Sequence, residues 1–239
     1  MQANFSSRSA SGIRTPGLAI LGAMATPHEY QDAGTEYFRQ YYELGVWKRQ
    51  HYRGIRILKL PTDLWNYQEI FSERRIEWVV ETGSAHGGSA LYFADLLELA
   101  AAPGKVITID VSHAALQLRQ HPRIEFILAS SGAEETAQRV AQRLPAQRGP
   151  LFMILDSDHS KAHVLRELEV MTPLLRQGDY LVVEDTCING HPVRPEFGPG
   201  PMEALEEFLR TRADLFLPDR ERETKFGFTA APAGYLVRT

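Results

Sequence analysis

The sequence is poor in the features that mark secreted, membrane-spanning or nucleic-acid-binding chains. Its 239 residues include a single cysteine, Cys187, which excludes an intrachain disulfide framework and suits a reducing, cytoplasmic setting. No apolar run approaches the ~20 residues that a membrane-spanning helix needs. The net charge of −4 offers no basic face for phosphates. We therefore expect neither a nucleic-acid nor a membrane partner.

Composition indicates one soluble α/β domain with an appended arm. Apolar residues make up 44% and charged residues 23%, which is ordinary for a globular protein. Residues 1–27 predict a flexible N-terminal arm, although Leu18–Ala25 after Arg8 and Arg14 also resembles a short secretory signal. We expect residues 28–239 to form a single domain, in which 28–72 make a helical, aromatic cap.

Short apolar runs alternate with amphipathic segments from residue 76 onward. We predict strands at 76–82, 105–110, 123–129, 150–155 and 179–183, and helices at 64–71, 89–99, 132–144, 161–176 and 202–212. Residues 226–229 and 234–238 predict a closing pair of strands. This alternation indicates a Rossmann-like, doubly wound α/β fold: a mostly parallel seven-stranded sheet with helices on both faces and an antiparallel C-terminal strand.

Acidic residues follow the fourth and fifth of these apolar runs. Asp156 and Asp158 come after the fourth, and Glu184 and Asp185 after the fifth. Because parallel strands end at the same edge of a sheet, these carboxylates should converge there and repel one another. A hard divalent cation with oxygen ligands would neutralise them, so we predict a Mg²⁺ (or Mn²⁺) site. Whether Asp156 or Asp158 is the first ligand stays open.

A glycine-rich turn follows the first predicted strand, in the segment Glu81–Ser89. It has neither the dinucleotide fingerprint G-x-G-x-x-G nor the lysine of a P-loop. Asp110 ends the next strand, where a carboxylate can accept both ribose hydroxyls, and Ser130 and Ser131 can contact an adenine after the third. These positions fit S-adenosyl-L-methionine, with its amino-acid end near Glu81. The alternative is a turn whose glycines are purely structural.

Four segments together resemble a known family. Asp63–Glu69, Glu81–Ser89, Leu155–His159 and Glu184–Thr186 are similar to the cephalosporin-hydroxylase-like branch of the S-adenosylmethionine-dependent methyltransferases, which includes macrolide-sugar O-methyltransferases. The resemblance covers roughly residues 37–238. It implies a metal-dependent O-methyltransferase acting on a hydroxyl of a small molecule, a sugar or another part of a secondary metabolite such as an antibiotic. It also implies a homo-oligomer.

The resemblance assigns roles residue by residue. Metal ligation goes to Asp156, Glu184 and Asp185, with Asp158 as substitute or neighbour, and His159 becomes the general base beside catalytic Asp156. His159 could instead orient the following helix, and Asp158 could cap it. The expected cofactor-binding residues are Tyr67, Gln68, Glu81, Gly83, Ser84, Gly87, Ser89, Asp110, Ser130, Ser131 and Asp156.

Two further segments are candidates for binding the acceptor. The loop Gly190–Pro201 directly follows the acidic pair, and we expect it to set specificity, together with His191 and Arg194. The segment 28–60 is rich in aromatic residues, of which Tyr37, Phe38, Tyr41 and Tyr42 fall at helical spacing; this predicts a helix packed on the core or, alternatively, a wall of the acceptor pocket. Two competing functions remain: an oxidative or accessory role in antibiotic biosynthesis, and a non-catalytic cofactor-binding partner.

Overall fold

The computed structural model describes residues 26–239, so the predicted arm at residues 1–25 lies outside the described residues. The helices are α1 (Pro27–Glu43), α2 (Pro61–Arg74), α3 (Gly88–Leu99), α4 (Glu134–Ala141), α5 (Lys161–Met171), α6 (Pro201–Leu209) and α7 (Arg220–Thr224). The strands are β1 (His51–Tyr52), β2 (Ile55–Arg56), β3 (Trp78–Thr82), β4 (Val106–Asp110), β5 (Ile124–Leu128), β6 (Leu151–Leu155), β7 (Tyr180–Val183), β8 (Phe216–Pro218) and β9 (Tyr235–Arg238). Within residues 26–239, no helix is both long enough and apolar enough to cross a membrane.

Seven strands form the predicted sheet, in the order β5-β4-β3-β6-β7-β9-β8, while β1 and β2 make a separate hairpin. Strands β3 to β7 are parallel, and β9 runs antiparallel to both of its neighbours. The register aligns Thr82 of β3 with Ile109 of β4 and with Leu155 of β6, which in turn pairs with Val183 of β7. The residues that follow these strands therefore start at one common edge.

Strands β6 and β7 are buried on both faces, as their continuous apolar sequences predict. Along β6, Leu151, Met153 and Leu155 pack into the core that contains α5 and α6. The alternate residues Phe152 and Ile154 pack into the opposite core, with aromatic side chains of α2 and α3. Helices on both faces thus hold β6 and β7 in a rigid frame beneath the site.

Some predicted boundaries were wrong. Helix α5 ends at Met171 rather than continuing to 176, because Pro173 turns the chain into a short 3-10 helix. The predicted helix 132–144 is shorter, at Glu134–Ala141. The partner of the last strand is β8 (Phe216–Pro218), and residues 226–229 form no strand.

Asp63 explains why residues 226–229 lie apart from the sheet. The cap residue of α2 is Leu60, and the Asp63 carboxylate in its first turn is buried. It accepts hydrogen bonds from the Thr229 hydroxyl at 2.7 Å, the Tyr235 hydroxyl at 2.9 Å and the Ala230 N–H at 2.9 Å. This buried acid therefore ties the loop before β9 to α2.

A buried ion pair ties the amino ends of β6 and β7 together. Arg148 contacts both oxygens of Asp179, at 3.0 and 2.6 Å, and both side chains are almost fully buried. Asp179 also accepts the N–H of Leu151 at 2.8 Å. The pair lies at the opposite end of the strands from the acidic clusters.

We predict that Arg148→Met lowers the free energy of unfolding by about 3–5 kcal/mol, because it leaves the carboxylate of Asp179 buried without its cation. Chemical denaturation measures the change. Arg166→Met removes an exposed arginine paired with Glu134 and serves as the control, with an effect within about 0.5 kcal/mol. Equal effects of the two substitutions would contradict the prediction.

Candidate active site

A cavity of about 1210 Å³ opens at the carboxyl edge of the sheet. Residues following β3, β4, β5, β6 and β7 line its floor, and α1, the segment before α2 and the loop after β7 line its walls. Polar side chains at the carboxyl ends of parallel strands are the usual place for a ligand in such folds.

Asp156, His159 and Asp185 form a compact cluster on this floor. Their ligand atoms all lie within 4.8 Å of one another. His159 Nε2 is 3.4 Å from Asp156 Oδ1 and 3.1 Å from Asp185 Oδ2. Asp185 adopts a left-handed backbone conformation, with φ of 54°, which aspartate tolerates better than most residues. The two acidic motifs therefore meet as the sequence predicts.

The predicted ligand Glu184 faces away from His159. Its Oε1 accepts a hydrogen bond from the Tyr67 hydroxyl at 2.5 Å, and its Oε2 lies 3.0 Å from the Lys59 ammonium. Lys59 also contacts Asp156 Oδ2. Lys59 was not predicted as part of the site, because nothing in the local sequence pattern connects it with acids that lie about a hundred residues further along the chain.

Asp158 is not part of the cluster. Its carboxylate accepts the N–H of Ser160 at 2.7 Å, and the hydrogen bonds from Ser160 lower the pKa of Asp158. The side chain therefore stabilises the turn that leads into α5. Of the two aspartates that the sequence left open as first ligand, the structure brings Asp156 to His159 and Asp185 and leaves Asp158 in the turn.

When Asp156, Glu184 and Asp185 are all ionised, they carry one more negative charge than Lys59 and a protonated His159 balance. Burial raises the pKa of Glu184 to about 8 and that of Asp185 to about 6, against the opposing charges of Lys59 and His159 respectively. Burial lowers the pKa of His159, but the charges of Asp185 and Asp156 outweigh it and raise that pKa to about 9. A further cation would relieve this imbalance.

The predicted cofactor residues divide into two sets. Those that line the cavity are Gly83, Ser84, Ser89, Asp110, Ser130, Ser131 and Asp156. Glu81, Gly87, Tyr67 and Gln68 do not. Glu81 is fully buried beneath the turn, where its Oε2 accepts the Thr108 hydroxyl at 2.6 Å and its Oε1 has no hydrogen-bond partner. Tyr67 instead reaches Glu184 from below the floor.

The glycine turn is shaped by close backbone packing. A Cβ on Gly83 would lie 1.9 Å from the carbonyl oxygen of Asp156, and its φ is +86°. The same turn brings the N–H of Ala85 to Asp110 Oδ2 at 3.0 Å, while Asp110 Oδ1 accepts the N–H of Ser112. Close packing and the positive φ are therefore enough to explain the glycine at position 83. The turn also holds Asp110 at the edge of the cavity.

A second polar cluster lies where the adenine was expected. Ser131 Oγ is 3.2 Å from His163 Nε2, and Ser157 donates to Glu167 Oε1 at 2.7 Å. Glu167 is fully buried, and its Oε2 has no hydrogen-bond partner. His163 and Glu167 were not predicted, because the sequence pattern of α5 reveals only the apolar residues that pack on the sheet.

The acceptor side of the cavity combines aromatic residues with the loop after β7. Phe38 is 1% exposed and belongs to a small core, against which Tyr42 and Trp47 pack with ring centroids 5.4 Å apart, and all three residues line the cavity. The aromatic segment therefore both packs on a core and lines the cavity, the two alternatives that the sequence left open. Arg194 lines the same wall, but His191 turns to Glu203 at 3.1 Å.

The sheet and the helices on its two faces define a class, the Rossmann-like α/β proteins, and methyltransferases are among the solved structures that share this fold. A structure of CmcI with Mg and SAM has a TM-score of 0.64 to this chain, at 24% identity over 80% of this chain and 77% of that one. The O-methyltransferase from Bacillus cereus in complex with SAH has a TM-score of 0.51, at 16% identity over 87% and 91%. At these identities the likeness shows the fold.

The chain belongs to the rhamnosyl O-methyltransferase/CmcI family, whose family model matches residues 44–239. A rhamnosyl O-methyltransferase of Mycobacterium bovis (strain BCG / Pasteur 1173P2) is 47% identical over 205 residues, covering 85% of this chain and 84% of the relative. The Mycobacterium leprae enzyme of the same name is 45% identical over 204 residues, covering 85% and 89%. The predicted branch is thereby confirmed, and the chain is an O-methyltransferase.

Glu203 anchors the acceptor loop to α6, which gives a pH-dependent prediction. Its carboxylate accepts the N–H of Gly200 at 2.7 Å, the amide of Asn189 at 2.8 Å and His191 Nε2. Although burial opposes the shift, these hydrogen bonds lower the pKa of Glu203 to about 2. A carboxyl with a lowered folded-state pKa stabilises the protein above its unfolded pKa and loses that contribution as the pH falls.

We therefore expect Glu203→Gln to lower the free energy of unfolding by about 1 kcal/mol at pH 7, as for other helix caps. The gap from wild type should shrink as the pH falls from 4.5 toward 2, because Glu203 itself becomes protonated. Denaturant titrations at several pH values measure the gap. A gap that stays constant down to pH 2 would show that the Glu203 charge is not involved.

Proposed function

We propose that the protein transfers the methyl group of S-adenosyl-L-methionine to a hydroxyl of a rhamnosyl or similar sugar, with Mg²⁺ (or Mn²⁺) bound at the acidic cluster. The observation that carries the proposal is the meeting of Asp156, Asp185 and His159 at the edge of a cavity. The mycobacterial relatives named rhamnosyl O-methyltransferases support a sugar acceptor. Membership of this family favours methyl transfer over the oxidative, accessory and non-catalytic alternatives.

The residues present fit a hard divalent cation. Asp156 and Asp185 would hold it through carboxylate oxygens, the ligand atoms that Mg²⁺ prefers, and the predicted ligand Glu184 lies next to them with its own oxygens in contact with Tyr67 and Lys59. Burial raises the pKa of Glu184 to about 8 and that of Asp185 to about 6, and a bound cation would favour the ionised form of both carboxyls. Cys187, the one thiol of the chain, is buried and 4.0 Å from Asp185 Oδ1. Its pKa is raised by burial, so it supplies no thiolate for a softer metal.

The residues also fit the nucleoside. Asp110 holds its turn through one hydrogen bond to each oxygen and keeps lone pairs free for ribose hydroxyls. Ser131, His163 and Ser157 line the cavity as polar groups that could meet the edge of an adenine. The cavity exceeds the usual size for one drug-like ligand, about 300–1,000 Å³, and so has room for both cofactor and acceptor.

When bound, the cofactor supplies an electrophilic methyl group and the cation makes the acceptor hydroxyl more acidic. His159 is placed to take the released proton at Nε2, since that atom faces Asp156 and Asp185 at the cavity floor. A base must be neutral. The charges of Asp185 and Asp156 are what keep the pKa of His159 high, so neutralising them returns it toward its ordinary value.

The aromatic wall suits a sugar ring. Tyr42 and Trp47 offer an apolar face to the C–H side of a sugar, and Arg194 offers donors to its hydroxyls. Both parts of the wall come from segments outside the sheet, which favours them as the specificity-determining elements. The antibiotic context, the homo-oligomer and the cytoplasmic location stay predictions of the sequence.

We predict that turnover on rhamnosyl acceptors requires the cation, so that EDTA abolishes it and Mg²⁺ or Mn²⁺ restores it. Isothermal titration with Mn²⁺ tests the ligand assignment: Asp185→Asn should weaken binding at least about tenfold through the lost charge. Asp158→Asn is the matched control and should bind Mn²⁺ as wild type does. Full activity in EDTA, or a defect confined to Asp158→Asn, would refute the assignment.

We predict that His159→Ala lowers kcat about 10²–10⁴-fold, the usual contribution of a general base. Its affinity for S-adenosylhomocysteine should stay near wild type and its Mn²⁺ affinity should not fall, because the carboxylates remain and a positive charge beside them is removed. Steady-state kinetics and calorimetry provide the two readouts. Loss of Mn²⁺ binding would instead make His159 a ligand, and unchanged kcat would remove it from catalysis.

A further inference from the structure

Lys59 is a buried cation that the proposed chemistry does not use. Its side chain is 2% exposed and lies between the two acidic motifs. The ammonium contacts Asp156 Oδ2 and lies 3.0 Å from Glu184 Oε2. Burying an ammonium is expensive unless it is paired with negative charge. These two carboxylates supply that pairing.

The geometry lets Lys59 and the cluster share one carboxylate. Lys59 takes Oδ2 of Asp156, whereas Oδ1 of the same group faces His159 at 3.4 Å. Lys59 contacts one oxygen of Glu184, and the Tyr67 hydroxyl donates a hydrogen bond to the other. Lys59 therefore draws on the negative charge available to a cation at the cluster without filling the space between Asp156, His159 and Asp185.

The backbone that carries Lys59 is firmly held. The amide of Gln50 donates to the carbonyl oxygen of Lys59 at 2.8 Å. Leu60 follows as the cap residue of α2, and Ile57 and Leu60 are buried. On the other side, Gly88 lies so close to this segment that a Cβ there would be 2.2 Å from the carbonyl oxygen of Arg56. The ammonium is therefore held at the acids by a fixed segment.

The geometry points to Lys59 as an internal counter-cation: it keeps the acidic cluster assembled when no divalent ion is bound, and it weakens the binding of that ion by sharing its carboxylates. The inference rests on the proposed metal site. Lys59 is a positioning residue in this account, since it acts through Asp156 and Glu184 and not on the substrate. It allows the cation to bind and leave without disrupting the floor of the cavity.

The test is Lys59→Met, which keeps length and removes charge, measured by thermal unfolding in EDTA and in saturating Mn²⁺ and by Mn²⁺ calorimetry. In EDTA the variant should melt about 6 °C or more below wild type. Mn²⁺ should restore most of this loss, so that its stabilising shift is larger in the variant than in wild type. The Kd for Mn²⁺ should fall at least about tenfold, because a like charge near the ion is gone.

Two controls separate charge balance from packing. Arg148→Met removes a buried cation at the other end of the strands and should lower the melting temperature equally with and without Mn²⁺. Adding Glu184→Gln to Lys59→Met removes one negative charge and should recover part of the melting temperature in EDTA. Without that recovery, the loss in Lys59→Met would be one of packing.

Other results would overturn the inference. Weaker Mn²⁺ binding in Lys59→Met would show that Lys59 orients the ligands and does not compete with the ion. Equal losses of melting temperature in EDTA and in Mn²⁺, with unchanged Kd, would leave Lys59 a packing residue. If wild-type protein binds no Mn²⁺, both the metal site and the competition between Lys59 and the ion are refuted. The comparison of melting temperatures in EDTA would still decide whether Lys59 balances the charge of the acids.

Discussion

Mutual repulsion among buried carboxylates at one sheet edge governs this structure. The parallel register of β6 and β7 brings Asp156, Glu184 and Asp185 to a single region, where Glu184 is buried and the two aspartates are half-buried. Such charges persist only where cations or donated protons offset them. The burial of Lys59, the raised pKa of His159 and the hydrogen bond from Tyr67 are local responses to that one constraint.

The two halves of the site have different mechanical support. The acids follow strands buried on both faces and fixed at their far ends by the Arg148–Asp179 pair. The wall of the cavity comes from α1 and from the loop after β7, which Glu203 anchors. Under the proposed function this wall binds the acceptor, so acceptor specificity could change while the geometry at the acids stays fixed.

The features of the structure that the sequence predicts correctly are those that appear in it as periodic or local patterns. Apolar runs gave the strands, and their ends placed Asp156, Asp185 and His159 together. The contact between Lys59 and Asp156 spans 97 positions and leaves no local trace, so only the folded chain reveals it. The last strand was predicted correctly, but its partner was misplaced for a similar reason: residues 226–229 look apolar, and Asp63 holds the end of this segment away from the sheet through hydrogen bonds to Thr229 and Ala230.

Counting formal charges connects Lys59 with the base. Asp156, Glu184 and Asp185 carry three negative charges when ionised, and Lys59 offsets one of them. A divalent cation would offset the other two, so the cluster would then be neutral with His159 unprotonated. Without Lys59, the loaded cluster would keep one negative charge, and a proton on His159 would be favoured. Under the proposed metal site, the fixed cation Lys59 would therefore leave His159 free to accept a proton once the divalent cation is bound.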